Sequence, residues 1–344
     1  MPSRGVESLV ADERRSQDGE SGPDRLPLEP MDPRLTWIQP GGGVIVRLEL
    51  AWGRWRRWFL KTFRRTYVAR MRDLRQGARN GCPHEVLDPR DLKFHRNQDG
   101  YWWAAQDDPF RWRDRLPFAR AGLAELLVLS LLFFGTAGVL GWVVAARGGT
   151  GSAAVLGWTA VAVSAALGAL VVWFFRNPRR QIPQDAGLVV SPADGKVVEV
   201  REIEHDEFIG GPALMVGVFL SLLNVHTNRM PVGCRVIGLR YRPGKCLNAM
   251  RPEASRENEQ LEIRIEDNAP PHRRLILRQI TGAVARRIVC WLKPGDELER
   301  GQEFGMIKLG SRAELVLPRE PGLELRVQIG DKIRAGATVV ARYS

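Results

Sequence analysis

Two apolar runs constrain this chain more than anything else in it: Leu123 to Ala146 and Ala153 to Phe175, separated only by Arg147-Gly-Gly-Thr-Gly-Ser152. Each is long enough to cross a hydrocarbon layer of about 30 Å as a helix. Neither carries the polar stripe that a helix buried against a soluble core would show, and charge is nearly absent from both. Glu125 lies at the edge of the first run, where an acid can reach the interface. Arg113, Arg115 and Arg120 precede the first run and Arg176, Arg179 and Arg180 follow the second, whereas the connecting loop holds only Arg147. Positive flanks face the cytoplasm. The pattern therefore predicts a transmembrane hairpin over residues 121–176, its tip outside and both long flanks inside.

The chain has 344 residues, 44% of them hydrophobic, which is enough for a real core beside the hairpin, and its formal net charge is +12. Such a charge attracts an anionic partner, either a bilayer surface or nucleic acid. Residues 1–40 mix charges with Pro, Gly and Ser and contain no apolar signal core, so they read as a disordered tail. Within 41–80, the stretch from Trp52 to Arg79 interleaves aromatics with ten Arg or Lys and one acid, Asp73. It reads as a basic amphipathic helix at the membrane surface; a nucleic-acid interface is the competing reading, disfavoured by the tether to the hairpin. Residues 81–120 look like an ordered connector without chemistry. Cys82, Cys234, Cys246 and Cys290 lie far apart without a paired spacing, which excludes a disulfide framework. Cys82 and His84 form a lone potential ligand pair, and no metal site is expected from them.

From residue 177 onward the texture changes to short β-type runs broken by Pro and Gly, among them GKVVEVREI, ALMVGVFLS, CRVIGLRY and AELVLP. This predicts a mainly β (α+β) domain over 177–344 with a barrel-like or sandwich-like sheet. Gly295-Asp296-Glu-Leu-Glu-Arg-Gly301 and Gly330-Asp331-Lys-Ile-Arg-Ala-Gly336 form a weak internal repeat, which suggests two equivalent turns.

Chemistry concentrates in three places. Gly310-Ser311 sits between two alternating apolar runs, an unusual position for a turn. Without a Cβ, Gly310 lets a neighbouring group approach its carbonyl. The Ser311 hydroxyl is adjacent to that carbonyl and can convert the amide into an ester, whose elimination and hydrolysis would leave a pyruvoyl group. Ser191-Pro-Ala-Asp194-Gly-Lys196 has the composition of a β-turn with an acid in it. Asn224-Val-His226-Thr-Asn-Arg229-Met-Pro231 follows a strand-like run and supplies a histidine. An acid, a histidine and a serine have the composition of a nucleophile, its base and the group orienting that base.

FFRNPRR (174–180), SPADGKV (191–197), NVHTNRMP (224–231), LNAMRPEASRENE (247–259) and LGSR (309–312) stand in the order found in phosphatidylserine decarboxylases. From about residue 170 to 344 the chain resembles the shorter, membrane-anchored branch of that family. The resemblance implies cleavage between Gly310 and Ser311 into associated chains 1–310 and 311–344, with a covalent pyruvoyl cofactor derived from Ser311. It implies an Asp194–His226–Ser311 catalytic set, in which His226 takes the serine proton and Asp194 holds and charges the imidazole. It implies decarboxylation of phosphatidylserine to phosphatidylethanolamine through a Schiff base, at the inner membrane of a bacterial-type cell. Family members that carry HxxHMP have a second histidine where this chain has Arg229. Arg176, Arg180 and Arg229 are candidates for binding the phosphate or carboxylate. The expected partners are phosphatidylserine in an anionic bilayer and the two chains for each other, with a homo-oligomer open and no nucleic acid. The rival readings are a membrane-tethered carrier of the lipoyl or biotinyl type, using Lys308 near the repeated GDxxxxG turns, and a membrane-bound nucleic-acid binder using residues 52–79.

Overall fold

The structure is a computed structural model and describes residues 25–78, 81–98, 100–251, 253–283, 287–308 and 310–344. Its helical part comprises α1 (Val44–Phe63), α2 (Arg65–Asp73), α3 (Leu123–Ala146) and α4 (Ser152–Phe174). Helix α3 ends where Gly148 and Gly149 take positive φ (89° and 66°), a conformation that stops a helix at little cost for glycine. At 24 residues α3 is about 36 Å long, and both α3 and α4 are apolar enough to cross a membrane. Their apolar side chains face outward, with Leu131, Trp142 and Leu156 at 66%, 73% and 73% exposure, so these are not core helices of a soluble protein.

The two helices pack closely because small residues line their contact. A Cβ on Gly168 would sit 2.8 Å from the Phe134 ring, and Ser164 Oγ donates to the Phe133 carbonyl at 2.8 Å. Such contacts replace the hydrophobic drive that is missing between helices in lipid. Glu125 does not reach outward as its position at the edge of the run suggested. It is buried and paired with Lys308 of the β domain.

The β domain contains β1 (Leu188–Val190), β2 (Gly195–Asp206), β3 (Gly211–Leu220), β4 (Thr227–Arg229), β5 (Cys234–Arg242), β6 (Gln260–Asp267), β7 (Arg274–Ile280), β8 (Arg287–Cys290), β9 (Glu297–Leu298), β10 (Glu303–Lys308), β11 (Ser311–Pro318), β12 (Leu323–Leu325), β13 (Lys332–Ile333) and β14 (Val339–Tyr343). Eight of these form one antiparallel sheet in the order β13-β2-β3-β11-β7-β6-β5-β9. Two three-stranded sheets, β1-β14-β12 and β4-β10-β8, complete the domain. The sheets are layered and open, so the barrel-like alternative is not realised. The apolar core between them holds Val197, Val218, Leu239, Ile263, Leu277, Ile307 and Leu315, each at most 2% exposed.

The internal repeat has a structural counterpart at opposite edges of the large sheet. Gly330 N donates to Val197 O and Val197 N to Asp331 O, while Gly295 N donates to Val236 O and Val236 N to Asp296 O. Ile182 packs where a Cβ would stand on either Gly301 or Gly336, the last residues of the two repeats.

Residues 25–40, which composition alone assigns to the disordered tail, are packed against this domain, whereas residues 1–24 of that tail lie outside the described residues. Leu26 N donates to Glu266 Oε1 (2.8 Å), Glu29 N donates to Ile237 O (2.8 Å), and Leu35 enters the core. The reason is local: a few apolar residues find a groove, and the buried Glu266 carboxylate gains a main-chain donor.

Candidate active site

Strand β11 begins at Ser311 and runs between β3 and β7, hydrogen-bonded on both sides and buried at every residue. Ser311 is fully buried, and its Oγ has no hydrogen-bond partner among the described residues. An unpartnered buried hydroxyl costs free energy, which makes it a reactive-group candidate on structural grounds alone. Gly310 precedes it at φ 59°, a left-handed conformation at the end of the strand–strand connection. The Gly310 carbonyl lies against Gly282: any Cβ on Gly282 would collide with that oxygen.

The LNAMRPEASRENE segment holds Gly282 there. Asn258 Nδ2 donates to Leu247 O (2.9 Å) and to Thr281 O (2.7 Å), Asn258 Oδ1 accepts from Leu247 N (2.7 Å), and Ala249 Cβ faces Gly282. Nothing in the sequence marks Gly282 and Asn258 as a carbonyl-positioning pair. The signal available was only a Thr-Gly after a strand, which is common in turns.

His226 is fully buried in the connection between β3 and β4. Its ring lies against that of Phe174, the last residue of α4, with centroids 4.2 Å apart and planes tilted by 36°, and its carbonyl accepts from Ile307 N of β10 at 3.3 Å. Neither ring nitrogen has a hydrogen-bond partner among the described residues. Burial pushes the imidazole down to about 4, with the Arg176 guanidinium adding to the effect and the Asn224 main chain opposing it. It is therefore neutral at neutral pH and able to accept a proton. Thr227 Oγ1 and Gln279 Oε1 are also buried without a partner among the described residues, and Gln279 Nε2 donates to Asn228 Oδ1 at 2.9 Å.

Asp194 is not hydrogen-bonded to His226. Its carboxylate accepts from Arg180 Nη2 (3.1 and 2.8 Å) and from Ala335 N (2.8 Å). The expected contact between acid and imidazole is thus replaced by an ion pair, because the FFRNPRR segment folds back over the PADG turn. The same turn carries Pro192 O, which accepts from Arg229 N (3.0 Å) and Asn228 Nδ2 (3.3 Å), so it braces β4 immediately after His226.

The three candidate arginines differ in their partners. Arg180 is occupied by Asp194. Arg229 pairs with Glu303 (2.7 Å), donates to Gly301 O (3.0 Å), and approaches Asn177 Oδ1 (3.3 Å). Arg176 stands apart at the end of α4: it lies over the Trp173 ring (4.0 Å) and donates to Trp173 O and Leu223 O, both at 2.7 Å. It also lines a cavity of about 400 Å³ whose other walls are Pro117, Phe118, Phe134, Ala169, Val172 and Trp173.

Lys308, on which a carrier reading would depend, is 5% exposed, ion-paired with Glu125, and bonded to Gln39 Oε1 at 3.2 Å. A lysine held this way cannot carry a swinging prosthetic group.

Fold and site together define a mainly β enzyme domain carried on an apolar helical hairpin, with a buried serine at a strand junction. The family model described as phosphatidylserine decarboxylase matches residues 167–341. A phosphatidylserine decarboxylase proenzyme of Rhodopirellula baltica is 51% identical over 253 residues, covering 73% of this chain and 99% of that protein. Proteins of the same name from Symbiobacterium thermophilum (45% over 181 residues) and Carboxydothermus hydrogenoformans (46% over 172) cover 53% and 50% of this chain and 82% and 79% of themselves. The chain belongs to the phosphatidylserine decarboxylase family.

Proposed function

We propose that this chain decarboxylates phosphatidylserine to phosphatidylethanolamine and CO2, using a pyruvoyl group that it makes from its own Ser311. The observation that carries the reading is the buried, unpartnered Ser311 hydroxyl at a junction whose preceding carbonyl fits only against a glycine. In the maturation step, Ser311 Oγ adds to the Gly310 carbonyl carbon, the Gly310–Ser311 C–N bond breaks, and an ester and a free Ser311 amine result. Loss of the Ser311 α-proton with departure of the Gly310 carboxylate leaves a dehydroalanine. Water hydrolyses its imine tautomer and releases ammonia. His226, neutral and adjacent to β10, is the group that takes the hydroxyl proton. Asp194 acts as a positioning residue: through Arg180, Ala335 and the PADG turn it fixes the strand that follows His226.

These residues fit the implied cofactor, since the nucleophile heads β11, the scissile carbonyl immediately precedes it, and a dry base lies in the connection that leaves β3, the strand β11 pairs with. The group's ketone supplies the electron sink for decarboxylation. The chain's own residues bind and orient the lipid. Arg176 is the arginine at the foot of the hairpin and meets the headgroup phosphate or carboxylate. The apolar cavity beside it accepts part of an acyl chain, which keeps the reacting amine at the height of Ser311. His226 takes the proton that the substrate ammonium must shed to react and returns it to the substrate carbon after CO2 leaves. Arginine-rich flanks on both sides of the hairpin support a cytoplasmic catalytic domain on the inner membrane, facing anionic lipid. Chains 1–310 and 311–344 stay together because β11 lies between β3 and β7.

The test is the mass and amino terminus of the C-terminal fragment in purified, active protein. A chain starting at position 311 with a pyruvoyl group in place of serine, refractory to Edman degradation, is expected. An intact polypeptide, or a free serine amine at position 311 in fully active enzyme, rules the reading out.

A further inference from the structure

We propose that Cys82, His84 and His95 form a binding site for a divalent transition metal, zinc in the first instance, outside the catalytic domain. The three ligand atoms lie within 4.8 Å of one another. Cys82 Sγ is 3.2 Å from His84 Nδ1 and 3.5 Å from its Nε2. A tetrahedral zinc with bonds of about 2.3 Å to sulfur and 2.0 Å to nitrogen holds those atoms about 3.5 Å apart. Small side-chain rotations close the cluster to that size.

Three independent features make this a built site and not a chance meeting of side chains. The first is orientation: His95 is 6% exposed, and its Nδ1 lies 3.3 Å from Thr36 O. A donor bond from Nδ1 to a main-chain carbonyl fixes the tautomer with the Nε2 lone pair free, the usual outer partner of a metal-bound histidine.

The second is scaffolding. The loop carrying the ligands is clamped from below by buried charge: Arg56 of α1 pairs with Asp88 (2.6 Å) and with Asp91, and Asp91 Oδ2 accepts from Leu87 N (2.8 Å). Asp88 in turn caps the short 3-10 turn Pro89–Leu92, after which His95 follows. Such a clamp sets the ligand spacing before any ion arrives.

The third is access. Cys82, His84, Glu85 and Tyr101 open onto a cavity of about 520 Å³, which leaves room for a solvent molecule as a fourth ligand. One thiolate and two imidazoles suit zinc, and the thiol stays reduced in the cytoplasm. The ion would pin the connector between the basic helices and the hairpin, far along the chain from Ser311.

Zinc content of the full-length protein in detergent, measured after zinc loading and exhaustive dialysis, tests this. Wild type is expected to keep about one equivalent, and Cys82→Ser and His95→Ala to keep less than about a tenth of that. Cobalt loading of wild type should give a thiolate-to-cobalt charge-transfer band and tetrahedral d–d bands that Cys82→Ser lacks. Because a variant can lose metal by misfolding, alkylation of the unmodified protein is the control. Zinc should slow labelling of Cys82 by about tenfold or more and leave the half-buried Cys246 unchanged. Wild type without retained zinc, a Cys82→Ser protein with the same cobalt spectrum, or zinc-indifferent labelling of Cys82 each overturns the site. Decarboxylase activity is expected to survive in Cys82→Ser, so loss of the metal and failure of the catalytic reading are separately visible.

Discussion

The hairpin and the β domain solve the burial problem in opposite directions. In α3 and α4 the large apolar side chains point away from the protein, with Leu127 and Val155 at 61% and 65% exposure. In the β domain the same residue types are hidden, and charges such as Arg312, Glu314 and Glu266 are hidden with them at 1% exposure each. Buried charge is tolerated there because it is compensated: Arg312 pairs with Glu199 (2.5 Å) and Glu314 (2.8 Å). The hairpin has one such buried acid, Glu125, and its partner Lys308 belongs to the sheet. Phe174 likewise ends an apolar hairpin helix yet forms one wall around His226. The difference teaches that the anchor is also part of the catalytic domain's packing, and that the two regions share one ionic and one aromatic contact beside the reactive strand.

The largest effect that would sharpen this division is the loss of the nucleophile. Ser311→Ala should give a folded, membrane-inserted, uncleaved and inactive chain, since alanine fits the strand and only the hydroxyl is removed; denaturing electrophoresis reads the outcome. Two fragments from this variant would return the reactive role to another residue.

Next in size is the contact joining the two regions. Lys308→Met leaves Glu125 buried without its partner, which should lower stability by about 3–5 kcal/mol. Lys308→Met with Glu125→Leu should recover most of that loss. A thermal melt in detergent of both single variants and the double variant measures the coupling. Additive losses would mean that hairpin and sheet are energetically separate after all.

His226 makes the β side of the comparison sensitive to pH. Its folded value near 4 lies below the ordinary 6.5, so the unfolded chain binds more protons between these limits. Stability from this group is fully present above about pH 6.5 and falls as pH drops toward 4, by on the order of 3 kcal/mol in total. Replacing His226 with a neutral residue should flatten that part of the urea-unfolding profile. An unchanged slope between pH 6.5 and 4 would show that the ring is not dry in solution.

The smallest expected change tests the packing on the scissile carbonyl. Gly282→Ala places a methyl group where the Gly310 oxygen lies. Overpacking of this kind costs about 1–3 kcal/mol, so self-cleavage should slow by about 10- to 100-fold, followed by fragment appearance in a pulse-chase. A normal rate would detach Gly282 from the reactive geometry.

Local patterns in the sequence were sufficient for the hairpin, the β texture and the duplicated GDxxxxG turns, because each depends on residues near one another in the chain. The pairing of Asp194 with Arg180 was not legible, since an acid in a turn carries no mark of which base it will meet. Glu125 was misplaced for the same reason: its partner lies in β10, 183 residues away. Nothing in the sequence joins His95 to Cys82 and His84, because the loop that brings them together is shaped by Arg56, an arginine indistinguishable in the sequence from its solvated neighbours. Gly282 acts by fit against the Gly310 oxygen and Asn258 by holding the Thr281 carbonyl beside it, and only the folded sheet shows that arrangement.

Strand β11 occupies an interior place in the eight-stranded sheet, and on the proposed chemistry its first residue becomes the reactive carbonyl. A fragment gripped on both edges cannot be withdrawn and replaced unless the sheet is dismantled. Enzymes that borrow a cofactor can be reloaded after damage, but a carbonyl made from Ser311 would be a single, built-in copy. Were that carbonyl reduced, the protein would be permanently retired, and only new synthesis would restore the activity. On that chemistry its working life would be set by chemical accidents at one atom pair.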